Sequence, residues 1–377
     1  MNSDVRYIMA LSQINGVGPV MLRTLVSAFG SAEGVVRASR SDLNGIQGLR
    51  VETIDSICSK MFDEYLAKAD YELSFAERHG INVLPFTSAQ YPERLSQCSS
   101  APTTLFIKGD INLNSLHMLS IVGTRQPSEA GRRITHDIVV ELGRRYPDMI
   151  VVSGLAYGVD VESHKAALEV GVPTIGVVAH GLDQIYPSSH RDIAAQMVQN
   201  GAILTEYFSG TRPDAPNFVA RNRIVAGLTD ATLVVESGAK GGSLITANLA
   251  FDFNRDVYAI PGRPTDEKST GCNALIAKNI AQLVCDVDDI EKHLGWSQRP
   301  QPVQGDLFSS VEEPVPVAQA ADHNAIYQAL MPNKQMTPAQ LSAVVGQSIT
   351  EVSAALLLME LEGQVRLLPD GSYSLVK

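Results

Sequence analysis

From His117 onward the chain alternates between short continuous apolar runs and longer segments in which apolar residues recur every three or four positions. The apolar runs are Met118–Val122, Ile150–Ser153, Thr174–Val178, Ala202–Thr205, Ala231–Val235, Val257–Ile260 and Gln282–Val284. Between them lie the helical patterns Arg132–Arg145, Val161–Val170, His190–Gln199 and Leu244–Phe253. Strands that are apolar throughout are buried on both faces, so the alternation predicts an α/β fold built on a doubly wound parallel sheet. Ligands of such sheets sit beyond the carboxyl ends of the strands.

Ahead of this region, Val5 to Lys68 reads as short helices broken at Gly16-Val17-Gly18 and Gly45-Ile46-Gln47-Gly48. Glycines two or three apart between helices let the chain turn tightly and expose backbone amides. The spacing resembles the helix-hairpin-helix element. Few basic residues flank it (Arg23, Arg37, Arg40 and Arg50), which leaves packing and DNA contact both open. A connecting segment follows, with a helix over Tyr71–His79, strands over Asn82–Pro85 and Pro102–Gly109, and a turn at Tyr91–Leu95. It is expected to pack on the edge of the main sheet.

After Trp296 the pattern changes. Ser297–Ala321 carries four prolines (Pro300, Pro302, Pro314 and Pro316) and little periodicity, which reads as a flexible linker. Three helices, Asn324–Leu330, Pro338–Val345 and Thr350–Glu362, then precede a hairpin around Pro369-Asp370-Gly371. Three helices and a hairpin make a winged helix. Its third helix has no lysine or arginine, and residues 323–377 hold three basic groups against four acidic ones. A protein-contact module fits that charge better than a reader of DNA sequence. The expected division is therefore 1–70, 71–296, 297–322 and 323–377.

The composition, 45% hydrophobic and 19% charged, is that of a globular protein. A net charge of −11 excludes a protein that coats nucleic acid by bulk basicity, so any polyanion site must be a local patch. Cys58, Cys98, Cys272 and Cys285 have neither zinc-ligand nor disulfide-framework spacing. No signal peptide and no run approaching the ~18 apolar residues of a membrane span is present, so a cytoplasmic location is expected.

The densest chemistry lies in Asn217–Thr246. Phe218, Arg221, Asn222 and Arg223 sit on a short helix before the Ala231–Val235 strand. Gly238-Ala239-Lys240-Gly241-Gly242 then turns into a helix opening at Ser243. A strand, a glycine turn and a helix N-terminus form an anion site, because the amides of the first helical turn point outward. Lys240 and the arginines make phosphate the expected guest, from either a nucleotide or a nucleic-acid backbone. Phe218 would offer a stacking face to a base. After the first sheet strand, Gly123 lets the backbone turn closely and Arg125 presents a guanidinium fork to phosphate oxygens. Arg263, after the next strand, adds positive charge at the same rim. Asp160 and His164 suggest acid–base work, but no nucleophile, second carboxylate or metal set accompanies them. The structural reading is preferred: Asp160 as the N-cap of the next helix, His164 one turn on.

Together these motifs resemble the DprA/Smf family of DNA-processing proteins. The resemblance runs through Ile121-Val122-Gly123-Thr124-Arg125, Ser153-Gly154 with Gly158-Val159-Asp160 and His164, and Asn217-Phe218 with Arg221-Asn222-Arg223-Ile224-Val225-Ala226-Gly227. It continues through Gly241-Gly242-Ser243 with Thr246-Ala247, and Pro261-Gly262. It covers roughly Tyr91 to Cys285, with the helical N-terminus and winged tail in the same order. It implies a Rossmann-like domain that binds single-stranded DNA without sequence preference and forms a homodimer through that domain. It also implies delivery of a RecA-type recombinase onto incoming DNA during natural transformation, with no cofactor. Carried over by position, Arg125, Phe218, Arg221, Arg223, Lys240 and Gly241-Gly242-Ser243 line the DNA site. The turn carries Lys240 alone, where family members often have a further basic residue. On this reading, reversing Arg221 and Arg223 to glutamate abolishes binding and leaves the fold intact.

Two enzymatic readings compete. The lysine-decarboxylase-like phosphoribohydrolases resemble the chain in their glycine turn but carry a glutamate shortly after it; here the next acid is Asp252. A dinucleotide-dependent oxidoreductase needs G-x-G-x-x-G after the first sheet strand, which is missing. A binding protein rather than an enzyme is expected.

Overall fold

The computed structural model describes residues 4–296, 323–331, 335–368 and 371–376. The linker expected over 297–322 lies outside the described residues, as do Pro369 and Asp370 of the expected tail turn. The chain divides into two units, residues 1–299 and 300–377.

Six helices open the first unit: α1 (Asp4–Leu11), α2 (Pro19–Phe29), α3 (Ala32–Arg37), α4 (Arg40–Asn44), α5 (Val51–Cys58) and α6 (Phe62–Arg78). The boundary expected at residue 70 falls inside α6. This helical layer is not a separate body. Its core of Ile8, Leu22, Leu25, Leu43 and Ile54 continues into Ile81 and Phe106 of the sheet region. Buried Glu72 of α6 fastens the two, accepting hydrogen bonds from the Ser209 amide at 3.0 Å and the Ser209 hydroxyl at 2.6 Å.

Next come β1 (Asn82–Pro85), α7 (Glu93–Ser96), β2 (Thr104–Gly109), β3 (Met118–Val122), α8 (Glu129–Arg145), β4 (Ile150–Ser153) and α9 (Val159–Val170). They are followed by β5 (Thr174–Val177), α10 (Arg191–Gln199), β6 (Gly201–Thr205), α11 (Ala215–Gly227), β7 (Ala231–Val234) and α12 (Gly242–Asp252). The unit closes with β8 (Asp256–Ala259), α13 (Thr270–Ala277), β9 (Gln282–Leu283) and α14 (Val287–Leu294). The nine strands form one sheet in the order β1-β2-β6-β5-β4-β3-β7-β8-β9. From β6 to β9 every pairing is parallel, whereas β1 and β2 extend the β6 edge antiparallel. All seven apolar runs become strands of the parallel part, and the connecting segment packs on the edge as expected.

Alternation along the strands divides the core in two. Met118 and Val122 of β3 join one cluster with Ile224, Ala247, Ala250 and Leu275 of α11, α12 and α13. Leu119 and Ile121 face the other, with Ile138 and Leu142 of α8, Ala166 of α9 and Ile290 of α14. Helices therefore cover both faces, the arrangement that continuous apolar strands require.

The strand order reverses between β3 and β7. Successive strands β3 to β6 run outward on one side, and the chain then returns to place β7 on the other side of β3. The loops leaving β3 and β7 consequently diverge at their carboxyl ends and open a crevice, which is where open α/β sheets bind ligands.

The second unit contains α15 (His323–Leu330), α16 (Pro338–Val345), α17 (Ile349–Leu361) and a hairpin of β10 (Val365–Leu367) and β11 (Tyr373–Leu375). Ile326, Leu330, Leu341, Val352, Leu356 and Met359 form its core. This is the expected winged helix. Among the described residues no single helix is long and apolar enough to cross a membrane.

Removing the Glu72 carboxylate leaves the Ser209 amide and hydroxyl without their acceptor. Glu72→Ala is expected to lower unfolding free energy by roughly 2 kcal/mol in urea titration; an unchanged midpoint would contradict the fastening role.

Candidate phosphate and nucleic-acid site

A cleft of about 570 Å³ lies at the switch point. Its walls are the loop after β3 (Gly123, Thr124, Arg125), the start of the α9 segment (Gly154, Ala156, Asp160), α11 (Phe218, Arg221, Asn222) and the opening of α12 (Gly241, Gly242, Ser243). Sequence positions more than a hundred residues apart are thus brought to one place.

Two glycines allow the walls to approach. A Cβ on Gly158, which sits at φ +83°, would fall 2.2 Å from the Thr124 carbonyl oxygen. That carbonyl accepts the Val159 amide at 3.2 Å, and the Thr124 amide donates to the Glu236 carbonyl at 2.7 Å, so the three loops are laced by backbone. A Cβ on Gly154 would lie 2.6 Å from an Arg221 guanidinium nitrogen and 2.7 Å from Asp160 Oδ2.

The glycine turn opens into the N-terminus of α12 where the sequence places it. Gly241 caps α12 with extended backbone and no side chain to satisfy the helix N-terminus. Among the described residues the Gly242 and Ser243 amides have no protein acceptor, while the Ser243 hydroxyl donates to Ser237 Oγ at 2.9 Å. Outward amides and the positive end of the helix dipole favour an anion at this point. Exposed Arg125 stands on the opposite wall, its guanidinium carbon 5.5 Å from the centre of the Phe218 ring.

Four of the expected basic groups are placed differently. Arg221 lines the cleft but is only 4% exposed. Its Nη1 donates to the Gly154 carbonyl at 2.7 Å and to the Val177 carbonyl, at the ends of β4 and β5. Burial pulls its pKa down to about 10, with Asp160 nearby opposing the shift, so the guanidinium stays charged at neutral pH. Arg223, two positions on along α11, turns away from the cleft. It forms a two-point ion pair with Glu206, including Nη2 to Oε2 at 2.6 Å, and its Nε donates to the Ser100 carbonyl at 2.7 Å. Arg263 lies on the exposed loop after β8 and does not line the cleft. Lys240 likewise is exposed on the glycine turn, outside the lining. Reversing Arg221 and Arg223 would therefore break buried contacts, and the structure predicts that this change destabilises the fold instead of leaving it intact.

Asp160 and His164 are committed to the fold, but Asp160 is not the expected N-cap: Gly158 holds that position and Asp160 is the second residue of α9. Asp160 Oδ2 accepts the Gly154 amide at 3.1 Å and the Ala156 amide at 3.4 Å; burial raises its pKa against the opposing pull of Arg221. Buried His164 meets the Thr174 hydroxyl through Nδ1 at 2.7 Å. Burial, with His190 and the Arg221 charge adding to it, lowers the His164 pKa to about 3.

One lining residue was missed. Tyr186, on the loop following β5, brings its ring within 5.7 Å of Phe218 and is 47% exposed. Its only sequence signal is position: it leaves a strand at the same carboxyl end as the other site loops.

In the helical layer, three of the four arginines near the glycine turns are engaged with protein, and Arg50 is exposed. Arg23 donates to the Ala101 carbonyl and lies over Phe86, while Arg37 pairs with Glu33 and Arg40 with Asp55. In the winged helix, α17 exposes Leu357 and Leu358, not basic groups.

The fold is that of an α/β protein with a crevice at the switch point of its sheet, the place where such sheets take their ligands. Residues 82–295 match the family model described as DNA recombination-mediator protein A, residues 311–371 the DprA winged helix domain, and residues 8–60 a SAM-like helix-hairpin-helix tandem. The protein Smf of Synechocystis sp. is 32% identical across 99% of both chains. The DNA processing protein DprA of Bacillus subtilis is 36% identical over 62% of this chain and 77% of its own. Among solved structures, DNA processing protein A from Streptococcus pneumoniae has a TM-score of 0.65 at 31% identity, covering 76% of this chain and 97% of that one. The protein from Helicobacter pylori, described with a single-stranded DNA binding mode, has a TM-score of 0.52 at 28% identity, covering 58% and 96%. The chain belongs to the DNA recombination-mediator protein A family, the DprA/Smf proteins.

Arg221→Gln loses the charge facing Asp160 and is expected to cost about 3 kcal/mol in denaturant unfolding; a loss below measurement error would contradict its structural role. His164 gives a pH signature. The unfolded chain binds a proton near pH 6.5, the folded one only near 3, so stability falls as pH drops below 6.5, by about 1.4 kcal/mol per unit. His164→Asn is expected to reduce the stability difference between pH 7 and pH 5 by roughly 2 kcal/mol. An identical pH profile in the variant would contradict this.

Proposed function

We propose that this protein binds single-stranded DNA in the switch-point cleft and passes it to a RecA-type recombinase during natural transformation and homologous recombination. The observation that carries the reading is the pairing of two complementary walls. One is the uncapped N-terminus of α12, and the other is the exposed guanidinium of Arg125 over the Phe218 ring. A phosphate oxygen suits both, and neither reads base sequence, which fits binding without sequence preference. The relative from Helicobacter pylori, described as binding single-stranded DNA, supports the same reading.

Within the proposed site, Gly123, Arg125, Gly241, Gly242 and Ser243 hold the backbone. Phe218 and Asn222 lie alongside it, and Lys240 and Arg263 contribute longer-range positive charge from the rim. Arg221 shapes the site from behind. The protein acts by binding rather than catalysis. Of the two carboxylates lining the cleft, Asp160 is held by two backbone amides and Asp214 caps α11 through the Asn217 amide, and no glutamate follows the glycine turn. The working unit we propose is a homodimer through the Rossmann-like domain, in the cytoplasm. Residues 297–322 act as a tether and the winged helix as a protein contact.

Arg125→Ala removes an exposed side chain. It is expected to weaken binding of a fluorescent oligothymidylate by about tenfold in anisotropy titration with little change in melting temperature. Wild-type affinity should fall steeply between 50 and 200 mM salt as counterions are released, on the order of tenfold or more. Unchanged affinity in the variant, or a flat salt dependence, would contradict the assignment.

A further inference from the structure

We infer that Glu236 is a positioning residue: its carboxylate holds the loop that carries Arg125 against the segment that leads into α12. The inference rests on the DNA-cleft reading above and names what fixes the two walls of that cleft relative to each other.

Glu236 follows β7 and stands two residues before the glycine turn. It is half-buried and does not line the cleft. Its backbone carbonyl accepts the Thr124 amide at 2.7 Å. Its Oε2 accepts the Ser128 amide at 2.8 Å, and its Oε1 accepts the Ser128 hydroxyl. Exposed Arg125 lies between those two anchor points, so one residue fastens its loop on both sides. The next residue, Ser237, holds the other wall, where its Oγ accepts the Ser243 hydroxyl at 2.9 Å in the first turn of α12. Two consecutive residues thus grip both walls.

The carboxylate has a place made for it. Ser128 is the N-cap of α8, and its Oγ accepts the Gly131 amide at 2.9 Å. In a capping box the amide of the N-cap residue is met by a carboxylate three positions on in the same helix. That position here is Gly131, which has no side chain, and Glu236 supplies the carboxylate from 108 positions beyond the cap. A Cβ on Gly131 would lie 2.5 Å from the carboxylate carbon of Glu236, so the glycine makes the room. A negative charge there also suits the positive end of the α8 dipole.

Electrostatics give the inference a sign. A carboxylate near a phosphate site that has no positioning role repels the ligand, and its removal strengthens binding. A carboxylate that holds Arg125 in place acts the other way, and its removal weakens binding.

The test is anisotropy titration of the full chain with fluorescent oligothymidylate across a salt series. Glu236→Ala is expected to weaken binding about fivefold and to reduce the slope of log affinity against log salt by about one, as Arg125→Ala does. In the Arg125→Ala background the same change is expected to alter affinity by less than about twofold, because one contact cannot be lost twice. Gly131→Ala displaces the carboxylate from outside the cleft and is expected to reproduce the loss, whereas Glu236→Gln keeps the shape and one acceptor and retains more affinity than Glu236→Ala. Melting temperatures report whether each variant is folded, and Gly131→Ala carries the comparison with Arg125→Ala if Glu236→Ala is not. Unchanged or tighter binding without the carboxylate, or a loss that adds in full to that of Arg125→Ala, overturns the inference and leaves the cleft reading standing. Unchanged affinity in Arg125→Ala alone overturns the cleft reading and the inference with it.

Discussion

The guanidinium of Arg221 is the contact on which the geometry of the cleft depends. It enters from α11, ties the carbonyls at the ends of β4 and β5, and carries its charge into a wall where Asp160 is buried. A buried arginine is tolerated only when its charge and donors are matched, and here strand-end carbonyls and a carboxylate do the matching. The requirement propagates outward. Gly154 must lack a side chain because guanidinium and carboxylate fill the space a Cβ would take. Phe218, one helical turn earlier on the same face as Arg221, is thereby aimed across the opening towards Arg125.

With this inner layer occupied, the groups left to meet a ligand are few. They are Arg125, the first amides of α12 and the ring of Tyr186. An acidic chain of net charge −11 thus concentrates its anion-binding capacity at one rim of one sheet. Such a patch holds a phosphate backbone locally, without the bulk attraction that would coat nucleic acid along its length.

The sheet was legible in the sequence because strands buried on both faces must be largely apolar, as the central strands β3 to β7 are, whereas β9 at the edge is short and exposed. The winged helix was legible for a similar reason, since its three periodic segments and hairpin leave one arrangement. The roles of the arginines were not. Arg221 and Arg223 stand two apart on a helix, so they point in different directions, one under the cleft and one towards Glu206. Nothing local distinguishes them, because the partners of Arg221 are 67 and 44 positions away. The expected boundary at residue 70 falls within α6, which runs unbroken through it, and Glu72 and the core around Phe106 join helices and sheet across that position. Tyr186 escaped notice because a loop tyrosine acquires meaning only once the topology places β5 beside β4.

The central claim is that single-stranded DNA occupies the switch-point cleft. Amide hydrogen exchange on the full chain, with and without oligothymidylate, tests it directly. The account predicts new protection at Gly242 and Ser243 and in the Thr124–Gln126 loop, with the helical layer and α17 unchanged. Protection confined to the Gly16–Gly18 and Gly45–Gly48 turns or to the winged helix, with the α12 amides exchanging as before, would contradict it.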